Sequence, residues 1–319
     1  MGEDLAATRV LAATVLVNLG SAGIVGAWAS VIWLRQADSA WATAARRRSW
    51  TALRVSLAVT MLADGLLLWL QAADMGQVPM SDALGMLPSI LTSTHVGHAW
   101  VGGAAGLSLV IWAVSERASP TFTARLVVVA LAIALVVYWR AAVSHAGGFG
   151  LFSLQLLVEC AHLWAISLWL GAVGIAAFAV LHRHHASTAT DRIDVARWVR
   201  ALSATATGAL LVIVATGVFN AWRGLGSAAN LVGTAYGNTL LVKVALVGVA
   251  VVLGGLNRFG AMPCLITSLQ ASQGSSAQPL HRFVQVLRIE AAVLFAALVA
   301  AAFVSSSPLP PATTSQQQL

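Results

Sequence analysis

Eight stretches of about 20 mostly apolar residues run through this sequence and limit its fold more than any other feature. A helix needs about 20 such residues to cross the hydrocarbon core of a bilayer. Only 9% of the residues are charged, against about a quarter in soluble domains. We therefore predict an all-α, polytopic membrane helix bundle in contact with the lipid bilayer. Its eight predicted transmembrane helices are residues 10–34, 51–71, 95–115, 122–140, 152–181, 201–222, 237–257 and 285–306.

The basic residues concentrate on one side of this predicted bundle. Loops or helix ends on that side hold Arg35, Arg46, Arg47, Arg48, Arg54, Arg117, Arg125, Arg183, Arg192, Arg197, Arg200, Arg258, Arg282 and Arg288. The opposite side has only Arg9, Arg140, Arg223 and Lys243. Loops rich in Lys and Arg stay in the cytoplasm, so we expect both termini to be periplasmic. The net charge of +7 then reflects membrane orientation, and we expect no nucleic-acid partner.

The chain divides into two membrane halves and a tail. We predict a four-helix half over residues 1–140, a second over 141–308, and a disordered periplasmic tail over 309–319, which is polar and Pro-bearing. A P-loop and an HExxH motif are both absent from the sequence. We therefore expect a protein that does not use ATP and is not an enzyme.

Several polar or ionisable side chains interrupt the outer halves of the predicted spans or the loops beside them. Ionisable residues inside a membrane span are costly and usually functional. The second span carries Met61 and Asp64, and His95 and His98 begin the third. The others are His145 in an outer loop, Glu159 and His162 on the fifth span, and Lys243 on the seventh.

Two of these pairs present ligands on one helix face, because residues three apart on a helix are neighbours. The pairs are His95 with His98 and Glu159 with His162. Imidazole suits copper, zinc and iron, and thioethers favour Cu(I). We predict that the third and fifth spans are adjacent, with His98 near His162. The predicted metal site comprises His95, His98, His145, Glu159, His162, Asp64 and Met61.

Structural roles are the alternatives for each part of this site. Glu159 is alternatively a partner of Lys243 in a buried ion pair, and His95 and His98 are alternatively interfacial histidines at the membrane surface. The outer loop after the second span offers either a metal-capturing surface or ordinary apolar contacts through Met75, Met80 and Met86.

Two further polar features are left out of the predicted site. We interpret the HRHH sequence at residues 182–185 as a solvated helix end. We expect Glu290 to form a local or interhelical ion pair, with Arg258 as one candidate partner.

From about residue 141 to 311 the sequence resembles the CopD family of bacterial inner-membrane copper-resistance and copper-uptake proteins. Each piece is weak by itself, whereas their order and spacing are specific as a set. The pieces are SHAGGFG, VECAHLWAISLWLGAVG, RWVRALSATATGALLVIVATGVFNAW, TAYGNTLLVKVALVGVAVVLGGLNR and LRIEAAVLFAALVAAAFVSSSPLPPA.

The resemblance implies a multi-pass protein of the bacterial inner membrane that moves copper between periplasm and cytoplasm. It slightly favours inward movement and implies copper, as Cu(I) or Cu(II), as the bound ion. His145 and His162 match family histidines. Recurring family positions without an assigned role are occupied by Asn220, Tyr236, Lys243, Asn257, Arg258 and Glu290.

The resemblance also implies a periplasmic CopC-like copper carrier as a partner. Some relatives carry an attached CopC-like β-sandwich domain, and we expect none in this chain. We therefore expect the copper donor to be a separate protein or the free ion.

Two other functions fit the same residues. In a b-type haem electron-transfer protein, His95 or His98 and His162 ligate iron from facing helices. A copper-holding assembly factor keeps the ligands but needs no path to the cytoplasm. An absorption spectrum separates the first from copper transport, since only haem gives a Soret band.

Overall fold

The computed structural model describes residues 2–115, 121–144, 148, 150, 152–181, 188–225, 227, 229–271 and 277–306, and these residues are mainly helical. Its α-helices are α1 (Gly2–Trp33), α2 (Ala40–Gly76), α3 (Leu87–Ser93), α4 (His95–Val114), α5 (Phe122–Ala142), α6 (Leu154–Gly174), α7 (Ala189–Leu225), α8 (Asn230–Gly233), α9 (Ala235–Leu256), α10 (Met262–Gln270) and α11 (Ala277–Ser306). A short 3₁₀ helix, Ala83–Met86, precedes α3.

Within the described ranges, eight helices are long and apolar enough to cross a membrane, which confirms the predicted helical bundle. They are Ala7–Trp33, Ala40–Gly76, His95–Val114, Phe122–Ala142, Leu154–Val180, Ala189–Leu225, Ala235–Gln270 and Ala277–Val304. Some helices are longer than the predicted spans. For example, α2 and α7 each have 37 residues and are therefore about 55 Å long, so they extend beyond a hydrocarbon core of about 30 Å.

Close approach of glycines joins the two halves of the bundle at the crossing of α1 and α6. A side chain at Gly26 would collide with the backbone of Gly171, and one at Gly171 would collide with the carbonyl of Ala22. Elsewhere on α1, Gly20 and Gly23 leave room for the side chains of Thr60 and Ser56 on α2. Small residues at these positions allow membrane helices to pack closely without a hydrophobic driving force.

The start of α2 is held by the start of α7. The backbone N–H of Trp41 donates to Asp191 Oδ1 over 2.9 Å, and the hydroxyl of Ser39 accepts from Ala42 N over 3.1 Å. Both contacts satisfy N–H groups that have no partner within the first turn of a helix. The contact with Asp191 also links α2 to α7 at the side predicted to be cytoplasmic.

The C-terminal half places α6 against α7 and α9 against α11. Two of its spans contain a wide π-helical turn: α6 continues into Ile175–Val180, and α9 continues into Asn257–Ala261. Such turns are rare and occur often at functional sites. The second of them contributes to a buried polar cavity described below.

Candidate metal site between α6, α7 and α9

Glu159 and His162 lie one turn apart on α6, on the face that packs against α7. The helix begins after Ser153, whose hydroxyl accepts a hydrogen bond from Leu156 N over 3.2 Å. His162 is buried, with 6% of its surface exposed, and Glu159 is half-buried. The sequence therefore places a carboxylate and an imidazole inside the bundle rather than on its lipid-facing surface.

Each of these side chains has a polar partner on α7. Asn220 Nδ2 donates to Glu159 Oε2 over 2.7 Å. His162 Nδ1 lies 2.8 Å from the hydroxyl of Thr216. Glu159 and His162 on α6 thus face Asn220 and Thr216 on α7. The partners follow in reverse order along the chain because α6 and α7 run antiparallel.

The hydrogen bonds of Thr216 determine which nitrogen of His162 is protonated. The Thr216 hydroxyl donates its one hydrogen to the carbonyl of Val212, 2.6 Å away. It therefore accepts a hydrogen from His162 Nδ1. The neutral ring then has its lone pair on Nε2, the arrangement in which an imidazole binds a metal while its other nitrogen is held by a polar partner.

Two side chains from α9 complete the polar cluster. Lys243 lies within electrostatic range of both Glu159 and His162. Tyr236 also lies within electrostatic reach of Glu159, and its hydroxyl packs against Gly224 on α7. The cluster thus combines the side chains of one glutamate, one histidine and one lysine. A cation bound there would receive a nitrogen and oxygen ligands and would compete with Lys243 for the carboxylate.

Thr216 was not among the predicted site residues, although the sequence contains a signal for it. Thr216 and Asn220 are polar residues four apart within ALLVIVATGVFNAW, so they share one face of an otherwise apolar helix. Asn220 and Tyr236 were noted only through the family resemblance. A search for matched polar pairs on different spans would have connected Thr216 and Asn220 with Glu159 and His162.

Asp64 has a different set of neighbours. Its carboxylate lies 3.7 Å from Arg140 Nη1 on α5, and Arg140 Nη2 donates to Asn18 Oδ1 on α1 over 2.7 Å. This three-helix cluster gives Asp64 a cationic partner that competes with any metal. Met61, on the preceding turn of α2, has 44% of its surface exposed.

The structure does not bring the two histidines of α4 to His162 on α6. His95 and His98 are exposed, and His98 Nε2 lies 3.1 Å from the carbonyl of Thr92. Contrary to our expectation for the third and fifth spans, α4 packs chiefly against α5, with at most marginal contact to α6.

The remaining predicted ligand, His145, lies outside the described residues, as does the HRHH sequence. Among the residues that the structure describes, no three His, Cys, Asp or Glu side chains are arranged to hold a metal ion together. The metal-binding role of the seven predicted residues therefore stays a prediction, and Glu159 with His162 is the part of it that has a shared, buried setting.

A second buried polar cluster lies between α6, α7, α9 and α11. A cavity of about 210 Å³ is lined by Glu290, Asn257 and Arg258, among others. Trp169 Nε1 donates to Glu290 Oε1 over 2.9 Å. Asn257 is 5% exposed, and among the described residues neither atom of its amide group has a hydrogen-bond partner. A buried amide in this state can pair with a water or an ion in the cavity.

This cavity corrects the expected ion pair of Glu290 with Arg258. Arg258 Nη1 instead donates to the hydroxyls of Ser203 (2.9 Å) and Thr207 (3.0 Å) on α7. Glu290 is 2% exposed and points to the indole of Trp169. Glu290 was left out of the predicted site because an arginine was its expected partner. In the folded protein its partner is Trp169 on α6.

Comparison with known proteins links both halves of the chain to copper. A family model described as "Copper resistance protein D" matches residues 196–304, and one described as "Copper resistance protein D-like, N-terminal domain" matches residues 5–153. The chain is 32% identical over 157 residues to "Copper resistance protein D" of Pseudomonas syringae pv. tomato, an alignment that covers 47% of each protein. It is 31% identical over 172 residues to "Copper transport protein CutJ" of Bacillus subtilis (strain 168), covering 54% of this chain and 29% of that relative. The chain thus spans less than half the length of these relatives.

Proposed function

The chain belongs to the CopD family of copper resistance proteins, and from this premise we propose that it carries copper across the bacterial inner membrane, from the periplasm to the cytoplasm. Its described spans make it a multi-pass membrane protein. The observation that carries the proposal is the pairing of His162 with Thr216 beside Glu159 inside the bundle. This pairing leaves one imidazole nitrogen for a cation, next to the side chain of Glu159, in a setting where an unpaired charge is costly.

Copper is the cargo that fits these ligands. Imidazole is a good copper ligand, and the hydrogen bond from His162 Nδ1 to Thr216 orients Nε2 for coordination. Glu159 balances the charge of the incoming ion, which takes the place of the Lys243 ammonium beside it. A site with few protein ligands also suits transport, because an ion must bind well enough to enter and weakly enough to leave.

The cavity at Glu290 supports a continuation of the path. Both polar clusters lie where α6, α7 and α9 meet. The second cluster offers the carboxylate of Glu290 and the amide of Asn257, which has no partner among the described residues. Asn257 follows Lys243 by 14 residues, which corresponds to about 21 Å along a helix. We propose that copper or accompanying water passes the second cluster on the way to the cytoplasm. A separate periplasmic CopC-like carrier is the proposed donor.

Copper content and an absorption spectrum test the proposal on protein purified in detergent and loaded with Cu(I). We expect near-stoichiometric copper in the wild type, strong loss in His162→Ala, and little change in the control His281→Ala, which removes an exposed histidine. A Soret band that disappears in His162→Ala would assign the site to haem. Equal copper in both variants would mean that His162 is structural.

Vesicles of defined orientation test movement and its direction. Copper added to the periplasmic face should accumulate inside vesicles that contain the wild type and not inside those with His162→Ala. Copper that binds stoichiometrically without crossing would favour the copper-holding assembly factor. Faster movement from the cytoplasmic face would reverse the proposed direction.

A further inference from the structure

An arginine-lined cleft of about 420 Å³, which shares no lining residue with either polar cluster, lies between the first turns of α2 and the junction of α4 with α5. The described residues that line it include no carboxylate. Positive charges this close repel one another unless an anion lies among them. The polar side chains that line the cleft are Arg46, Arg47, Arg54, Arg125, Thr43 and Thr51.

Backbone carbonyls at the ends of two spans hold three of the guanidinium groups in place. Arg46 Nη2 donates to the carbonyl of Leu34 after α1, over 3.2 Å. Arg54 Nη2 donates to Val114 O over 3.3 Å, and Arg125 Nη2 donates to Ser115 O over 2.7 Å, both at the end of α4.

These contacts leave donors unused on the guanidinium groups. A guanidinium has five N–H donors, and with described residues Arg46, Arg54 and Arg125 each make only one or two hydrogen bonds. The groups are thus positioned and only partly satisfied. Arginines in this state are suited to bind phosphate oxygens, because paired N–H groups match their geometry.

The surroundings of the cleft are those of a membrane boundary. Trp50 lines the cleft, and the Arg125 guanidinium lies 5.9 Å from its ring centroid. Tryptophan is enriched where hydrocarbon meets head groups. Just beyond the arginines, Val55 on α2 and Trp112 on α4 are large apolar side chains with 58% and 50% of their surfaces exposed.

We propose that this cleft binds the phosphate of an anionic phospholipid, whose acyl chains lie against the exposed apolar residues of α2 and α4. Basic pockets between transmembrane helices are a recurring way of binding such head groups. The exposed apolar side chains favour a lipid over free phosphate, because only a lipid has acyl chains that contact them. The bound lipid neutralises part of the arginine charge and joins the ends of α1, α2, α4 and α5.

Native mass spectrometry of the full chain, titrated with phosphatidylglycerol or phosphatidylcholine, tests this proposal. The test variant is Arg47→Gln/Arg54→Gln, which spares the carbonyl contacts of Arg46 and Arg125. The matched control is Arg192→Gln/Arg200→Gln, which removes the same charge from α7 on the same predicted side. We expect phosphatidylglycerol to bind about tenfold more weakly to the test variant and with unchanged affinity to the control. Monodispersity and unfolding temperature in detergent confirm that both variants are folded.

Four results would overturn the proposal. Equal loss in both double variants would indicate a general charge effect, and unchanged binding in both would exclude the cleft. Displacement of phosphatidylglycerol by millimolar inorganic phosphate would assign the cleft to free phosphate. The cleft could instead be neutralised by a carboxylate of the protein itself, and Glu116, which follows Ser115 in the sequence, is the candidate. A large gain in lipid binding in Glu116→Gln would mean that this carboxylate normally occupies the cleft.

Discussion

Asn220 on α7 donates a 2.7 Å hydrogen bond to Glu159 on α6, one turn from the 2.8 Å contact between Thr216 and His162. These two contacts turn an isolated acid and an isolated histidine into one ordered cluster. They hold the carboxylate and the imidazole side by side through hydrogen bonds from α7. Such preorganisation is what a binding site for a passing cation requires.

Removal of the Thr216 hydroxyl should weaken copper binding without removing the ligand. We expect Thr216→Val to lower the Cu(I) affinity about 10–100-fold, the usual effect of losing a group that orients a metal-binding histidine. Thr216→Ser keeps the hydroxyl and should retain near wild-type affinity. Competition titration with a Cu(I) chelator measures both. Equal affinities for the two variants would mean that His162 does not bind copper through Nε2.

Glu159 and Lys243 should depend on one another. Glu159→Gln leaves the half-buried Lys243 side chain without its carboxylate partner, so we expect lower stability as well as loss of copper binding. In Glu159→Gln/Lys243→Met both charges are gone, and the unfolding temperature should recover while copper binding does not. A double-mutant cycle on unfolding temperature in detergent gives the coupling. Additive effects of the two substitutions would contradict a direct interaction.

The pair of Asp64 with Arg140 should contribute to stability more than to copper binding. We expect Arg140→Met to destabilise the protein by about 3–5 kcal/mol, because it leaves a half-buried carboxylate unpaired. Asp64→Asn/Arg140→Met should recover much of this loss and change the Cu(I) affinity by less than about tenfold. Denaturant unfolding and chelator competition on the same preparations provide the two readouts. Loss of copper from the stable double variant would restore Asp64 to the metal site.

The crossing of α1 and α6 should not tolerate a methyl group. We expect Gly171→Ala to destabilise the protein by about 1–3 kcal/mol, since the new Cβ meets the carbonyl of Ala22. Gly174→Ala is the matched control one turn away, where no atom lies within 4 Å of the added carbon. It should leave the stability unchanged or slightly higher, as alanine favours helix. Thermal unfolding in one detergent compares the two, and similar losses would contradict the close crossing.

Substitution of Glu290 should lower copper transport without changing copper binding at the cluster of Glu159 and His162. In Glu290→Gln we expect copper uptake into vesicles to fall at least about tenfold, while the copper bound in detergent stays at the wild-type level. Trp169→Phe removes the indole donor to Glu290 and keeps an aromatic ring, so it should have a smaller effect in the same direction. Wild-type uptake by Glu290→Gln would remove the second cluster from the proposed path.

The membrane bundle was predictable because hydropathy is a local property. The eight spans, the concentration of arginines on one side and the presence of Glu159 and His162 within a span all follow from residue types and their order. Each depends on the transfer free energy of side chains along the chain and not on which helices meet. The residues that identify the family were visible for the same reason, since they are read in sequence order.

Only the tertiary structure determined which polar side chains meet. The sequence suggested that His98 joins His162, that Asp64 and Met61 belong to the same site, and that Glu290 pairs with a nearby arginine. The structure places Thr216 against His162, Arg140 against Asp64 and Trp169 against Glu290. Each of these contacts joins two helices that are separated by many residues in the chain.

The physical reason lies in the rotation and order of the helices. A span is apolar on most of its surface, so its sequence contains little information on which face turns inward or which neighbour it meets. That choice depends on close packing at a few small residues, as at Gly26 and Gly171, and on the burial of polar groups only where they find partners. The sequence by itself thus determined that the chain spans the membrane and which polar residues it carries there, whereas the tertiary packing decided that Glu159 and His162 share one polar cluster with Thr216 and Asn220.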